Sequence, residues 1–270
     1  MITWSAHLGT LFGEHPPLER PAAARAAGFA VLEAWWPPAP DPRAWIRAVR
    51  VAGMRAALVN ADGGDLAAGE RGYCNRPERR DDVVAAVRAA GAVVRACGGR
   101  TVNLLAGRDD GVRSAADQWS AAVDAVRAAC AATAGDGVRI VIEHLNAHDV
   151  DRPLLPTPEA AAAFVADVDR PEVRLLFDAY HAARMGLDPV EEAARVAHLI
   201  GHVQYADSPG RGAPGTGTVD LARLVAALAR MGYAGDLGLE FVPGGPTGVA
   251  LEGLRGLSPH APFPAGPTPA

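Results

Sequence analysis

The sequence predicts an α/β protein, a single (β/α)8 TIM barrel. Apolar, strand-like runs alternate with alanine-rich helical segments along nearly the whole chain. Eight such runs can be read, each followed by a helical stretch, as a closed parallel barrel requires. No G-x-G-x-x-G follows the first run, and six or seven units, not eight, would have favoured a doubly wound sheet.

The predicted strands are Thr3–Leu8, Ala30–Trp36, Arg55–Ala61, Thr101–Ala106, Arg139–Leu145, Val173–Tyr180, His202–Ala206 and Leu237–Phe241. Helices fall between them, for instance over 79–99 and 114–135. In the second, Trp119, Ala122, Val123 and Val126 recur at helical spacing and mark the buried face. Asp41 before Pro42, Ser114, and Thr157 before Pro158 are suited to cap helix starts. No linker divides the chain, so residues 1–257 read as one barrel and the proline-rich stretch 258–270 as a tail. Two loops are longer than the fold needs, 60–79 after the third strand and 207–218 after the seventh. Both leave the carboxyl ends of strands, where barrels build active sites.

Composition narrows the function. Hydrophobic residues make up 49% and charged residues 21% of the 270, which suits a water-soluble protein with a large core. A net charge of −5 gives no footprint for nucleic acid, and no signal segment or membrane-length apolar run is seen. Cys74, Cys97 and Cys130 are widely spaced and read as core-filling thiols. The chain reads as cytoplasmic, with no membrane partner; a homo-oligomer is compatible with this composition. All 26 basic residues are arginine, so no lysine can form a Schiff base and no P-loop lysine exists.

Polar residues sit where apolar strands end. The last four strands finish at "RIVIEHLN", "VRLLFDAYH", "GHVQYADS" and "GDLGLEF", presenting Glu143, Asp178, Gln204 and Glu240. Neighbouring strands can bring these four side chains to one point. Three carboxylates and an amide oxygen suit a hard divalent cation, Mg²⁺ or Mn²⁺, more than a closed zinc site. Without a cation, clustered carboxylates repel and some must take up protons. His181 lies just past its strand, and His7 ends the first strand and could line the pocket. His144 and His202 are expected to pack or to satisfy backbone groups. Arg211, in the long glycine-flanked seventh loop, suits a bidentate clamp on a substrate carboxylate.

These stretches, with "SAHLGTLFGE", "LEAWWP", "GDLAAGERG" and "GHVQYADSPGRGAPGTG", resemble the hydroxypyruvate isomerase family of the xylose-isomerase-like barrels. The resemblance runs from the first strand to the eighth, and "AAGERG" and "RGAPGTG" are its most specific parts. It implies that Glu143 and Glu240 are the metal-bound acid–base pair. Asp178 and Gln204 would complete the metal site, and His181 and Arg211 would hold a small hydroxy-oxo acid. The implied reaction converts hydroxypyruvate to tartronate semialdehyde through an enediolate. Alternatives are a 2-oxo-tetronate isomerase or sugar epimerase using the same machinery, a metal-dependent endonuclease-like hydrolase, and a non-catalytic sugar-acid binder. Many superfamily epimerases carry histidine at the position of Gln204. His144 stands where relatives often have proline.

Overall fold

The computed structural model describes residues 2–254. The expected tail at 258–270 lies outside the described residues. Eight strands run in chain order: β1 Thr3–His7, β2 Val31–Ala34, β3 Arg55–Asn60, β4 Thr101–Leu104, β5 Arg139–Glu143, β6 Val173–Asp178, β7 Ile200–Tyr205 and β8 Asp236–Leu239. They close in that order into a barrel, and β1 pairs in parallel with both β2 and β8. The helices between them are α1 Arg20–Ala26, α2 Pro42–Val51, α3 Arg80–Ala96, α4 Ala115–Ala132, α5 Pro158–Val168, α6 Ala179–Arg184, α7 Pro189–Val196, α8 Leu221–Arg230 and α9 Thr247–Ala250. Among the described residues, no helix is long and apolar enough to cross a membrane.

The elements follow from local chemistry. Asp41, Ser114 and Thr157 accept hydrogen bonds from Arg43 N, Asp117 N and Ala160 N, so the expected N-caps form. They satisfy backbone donors that a helix start leaves free. The strands are shorter than predicted at most ends. β2 stops at Ala34, before Trp35 and Trp36, and β8 stops at Leu239, so Glu240 stands one residue beyond its strand. β7 begins two residues early, at Ile200.

Most of the apolar core lies between the strands and the outer helices. Phe164 of α5 is fully buried there and meets Trp119 of α4 edge-on at 5.2 Å. Trp119 donates its indole N–H to Asp167, tying the two helices together. A separate, smaller cluster of Val31, Ala57, Leu58, Val141 and Leu176 includes residues of four strands. Side chains two apart on a strand share a face. Val31, Val141 and Leu176 therefore floor the positions of Glu33, Glu143 and Asp178, an apolar layer beneath an acidic one.

Truncation of the outer core should be costly. Phe164→Ala is expected to lower unfolding free energy by about 3–5 kcal/mol, measured by urea denaturation followed through circular dichroism.

Candidate active site

The acidic layer opens at the carboxyl end of the barrel into a cavity of about 260 Å³, lined by Trp35, Asn60, Arg71, Glu143, His181, Arg211 and Glu240 among others. Glu143 ends β5, Asp178 ends β6, and Glu240 follows β8; all three are buried. Ligand atoms of Glu143, Asp178 and His181 lie within 4.8 Å of one another. Arg211 bridges to the far side, with Nη2 at 3.3 Å from Glu240 Oε2 and 4.0 Å from Asp178 Oδ2. The sequence assigns Arg211 to a substrate carboxylate, whereas here its guanidinium faces the protein's own acids.

Surroundings separate the two glutamates electrostatically. Burial, reinforced by Glu240 and Asp178, raises the Glu143 carboxyl well above its ordinary range, although Asn103 Nδ2 donates to Oε2 at 2.6 Å. Burial also raises Asp178, against the pull of Arg211. At Glu240 burial is outweighed by His7, Arg211 and the Trp35 indole N–H, which donates to Oε1 at 2.8 Å, so this carboxyl is lowered. Without a cation the proton affinity of the cluster is uneven, raised at Glu143 and Asp178 and lowered at Glu240. Neighbouring carboxyls pushed apart in this way are the pattern of acid–base pairs.

The histidines differ in what they offer. His181 Nδ1 accepts from the Asn146 backbone N–H and lies 2.7 Å from the Asn146 side-chain amide nitrogen. Asn146 Oδ1 in turn accepts from His148 N and Asp149 N, which fixes the amide as a donor towards the ring. The His181 proton is therefore on Nε2, directed at Glu143 and Asp178 from 3.6 and 3.8 Å. Burial and Arg211 push this ring down to about 3, so it is a neutral donor. His7 Nδ1 accepts from Gly9 N, and its buried Nε2 lies 3.7 Å from Glu240 Oε1 without a hydrogen-bond partner. His144 Nε2 accepts from the Asp178 backbone N–H, a structural role as expected.

His202 differs from expectation. It lies two residues before Gln204 on β7, hence on the same face, and its Nε2 meets Glu33 Oε1 at 3.0 Å. Gln204 Nε2 donates to Glu33 Oε2 at 2.9 Å, leaving Gln204 Oε1 buried without a partner. Glu33 was not singled out, since a lone glutamate in "VLEAWW" is indistinguishable from a surface residue until its strand is placed. It is fully buried; burial is offset by His202, His7 and Gln204, and the carboxyl stays lowered while His202 is raised. A Cβ at Gly238 would stand 2.4 Å from both Glu33 oxygens, so β8 must carry glycine there. Trp35 and Asn103 were likewise missed as partners of Glu240 and Glu143.

Two loops hold the rim. Asp207 Oδ1 accepts from Ser208 N and Val219 N, and Oδ2 from Gly215 N and Gly217 N, folding the seventh loop around one carboxylate. Val242 N donates to Arg211 O at 2.7 Å, pinning Arg211 beside Glu240. In the third loop, Glu70 accepts from Asp65 N and Arg76 Nη1, closing "GDLAAGERG" on itself.

A divalent cation fits this donor set. Three buried carboxylates lack enough positive charge, and Gln204 Oε1 is a buried carbonyl oxygen with no donor. The paired charge below is testable on its own. His202→Ala strands Glu33 in the lumen and should cost about 3–5 kcal/mol, read as a fall in denaturant midpoint.

The family model for xylose isomerase-like TIM barrels matches residues 21–260. The hydroxypyruvate isomerase of Escherichia coli K12 is 31% identical over 96% of this chain and 100% of its own. The 2-oxo-tetronate isomerase of Cupriavidus necator is 30% identical over 94% of this chain and 98% of its own. A crystal structure titled AP endonuclease, family 2, from Brucella melitensis superposes with a TM-score of 0.88 at 29% identity, covering 93% of this chain and 97% of that one. With the barrel, the acids at its mouth and full-length relatives in agreement, the chain belongs to the xylose isomerase-like TIM-barrel family, and within it to the hydroxypyruvate isomerases.

Proposed function

We propose that this protein interconverts hydroxypyruvate and 2-hydroxy-3-oxopropanoate (tartronate semialdehyde) by proton transfer between adjacent carbons. The observation that carries the reading is the pair Glu143 and Glu240, two buried carboxyls of opposite proton affinity facing one small cavity. One glutamate removes a proton from the hydroxymethyl carbon, leaving an enediolate, the hydroxyl proton passes from that carbon's oxygen to the former carbonyl oxygen, and the other glutamate returns a proton to the former carbonyl carbon. The carbonyl thereby moves by one position with no net gain or loss of electrons. His181, proton on Nε2, donates to a substrate oxygen as negative charge grows there; His7 does the same beside Glu240. Asn103 and Trp35 hold the two carboxyls in place.

Glu143, Asp178, Gln204 and Glu240 would hold a divalent cation, Mg²⁺ or Mn²⁺. When bound, it would supply Lewis-acid stabilisation of the developing oxyanion. Arg211 balances the same acids and borders the substrate. Three buried free thiols support a reducing, cytoplasmic setting.

A second reading is isomerisation of a four-carbon 2-oxo acid by the same residues, supported by the likeness to 2-oxo-tetronate isomerase. Phosphodiester hydrolysis is less well supported, because a net charge of −5 offers little for a nucleic-acid backbone.

In heavy water, product should carry deuterium at the newly protonated carbon. Glu143→Gln and Glu240→Gln should each cut turnover by about 10²–10⁴-fold while circular dichroism stays unchanged. Near-normal turnover by either folded variant would end the two-glutamate mechanism. Elemental analysis should find about one divalent ion per chain, and chelation should lower the melting temperature. Full activity with an unchanged melting temperature after verified metal removal would end the metal role alone.

A further inference from the structure

The third loop carries an arginine whose charge the proposed chemistry leaves unused. Arg71 lines the catalytic cavity with Asn60, Leu66 and Leu105, on the β3–β4 side. Its Nη1 donates to the backbone carbonyls of Leu66 and Glu70 at 2.9 and 2.6 Å, anchoring the guanidinium. Among the described residues, Nε and Nη2 donate to no protein acceptor, and no carboxylate pairs with it.

Its neighbours are all committed. Arg76 pairs with Glu70, Arg108 with Asp151, Arg113 with Asp110 and Glu78, and Arg152 with Asp109 and Asp151. Arg211 is taken up by Glu240 and Asp178. One half-buried cation lining the cavity therefore keeps the Nε–Nη2 edge of its guanidinium unpaired.

We propose that Arg71 binds the carboxylate of a small 2-oxo acid, setting specificity for acids over neutral sugars. The proposal rests on the isomerase reading above and names the part of the substrate that its acid–base pair does not touch. With the reacting carbons between Glu143 and Glu240, the carboxylate end extends towards β3 and β4 and meets Nε and Nη2 as a bidentate pair. Burial, with repulsion from Arg108 and Arg211, lowers the proton affinity of Arg71, and an arriving anion offsets that unfavourable charge. The motif itself then divides by role. Glu70 clasps the loop, Arg71 reads the ligand, and Gly72, at φ 85° with Leu105 O only 1.9 Å from where a Cβ would be, lets the loop press against the strand.

The test compares Arg71→Gln, Arg71→Lys and Arg211→Gln in the full chain. Binding of tartronate, an unreactive carboxylate analogue, is measured by calorimetry, with KM and kcat for hydroxypyruvate and inhibition by dihydroxyacetone, its uncharged counterpart. Arg71→Gln should raise the tartronate Kd and the hydroxypyruvate KM by about tenfold or more. Its kcat and its dihydroxyacetone inhibition should change less than about threefold, and Arg71→Lys should recover part of the loss. Equal losses for tartronate and dihydroxyacetone, no loss at all, or a carboxylate-selective loss only in Arg211→Gln would each overturn the assignment. So would failure of the unmodified chain to bind tartronate. A chain that binds tartronate through Arg71 yet does not isomerise hydroxypyruvate would retain this site and refute the reaction.

Discussion

Four carboxylic acids buried at one end of a barrel are the constraint around which this molecule is arranged. Glu33, Glu143, Asp178 and Glu240 are each at most 6% exposed. Two like charges about 4 Å apart repel by roughly 4 kcal/mol at a partly buried site, so the lumen must distribute its charge unevenly. Glu33 is neutralised from below by His202 and Gln204. Glu240 is held ionised by His7, Arg211 and Trp35. Among the described residues Glu143 accepts a single hydrogen bond, from a neutral amide, and burial with Glu240 and Asp178 drives it towards its protonated form. The acid–base asymmetry of the site follows from which neighbours each strand contributes.

Glu33 links fold to chemistry. It touches nothing in the cavity, yet it accepts from Gln204 Nε2 and so directs the Gln204 carbonyl oxygen away from itself. An amide rotated the other way would place two oxygens together beneath the site. A buried charge pair contributes little to stability, because desolvation cancels most of the attraction. What this pair secures is the orientation of one side chain, and Gly238 is the room it needs.

The barrel was legible because alternating apolar strands and alanine-rich helices leave few other folds, and Glu143, Asp178, Gln204 and Glu240 could be placed because each ends a readable strand. What escaped the sequence was pairing across the lumen. Glu33 lies on β2 and His202 on β7, 169 positions apart, and nothing local marks either as the other's partner. His202 departs from its expected packing role because its parity with Gln204 puts it inside the lumen, whereas His144, one residue from Glu143, faces away. Strand ends were overestimated where Trp35 and Trp36 look like strand residues by composition but leave the ladder. Arg71 was visible as part of "AAGERG", but its meaning depends on the acids that pair with Arg76, Arg108, Arg113, Arg152 and Arg211 around it and leave it alone.

The lumen and the rim accordingly do different work. Acids held on strands by cross-barrel partners define a proton-transfer site that would serve any substrate with a carbonyl beside a hydroxyl. Discrimination has to come from the loops, where Glu70 and Asp207 each fold a segment about a single carboxylate and leave an arginine at the cavity edge. The absence of lysine is chemically fitting there. An ammonium among other cations and away from water readily gives up its proton, whereas guanidinium stays charged and offers a flat pair of donors. Arg211 is held against two acids and over the Tyr180 ring, so its charge is raised in affinity for protons and serves the chemistry. Arg71 is anchored only by backbone carbonyls, which fix its position without neutralising it. A fixed, uncompensated guanidinium at the mouth of an otherwise acidic cavity draws in an anion that the acids alone would repel.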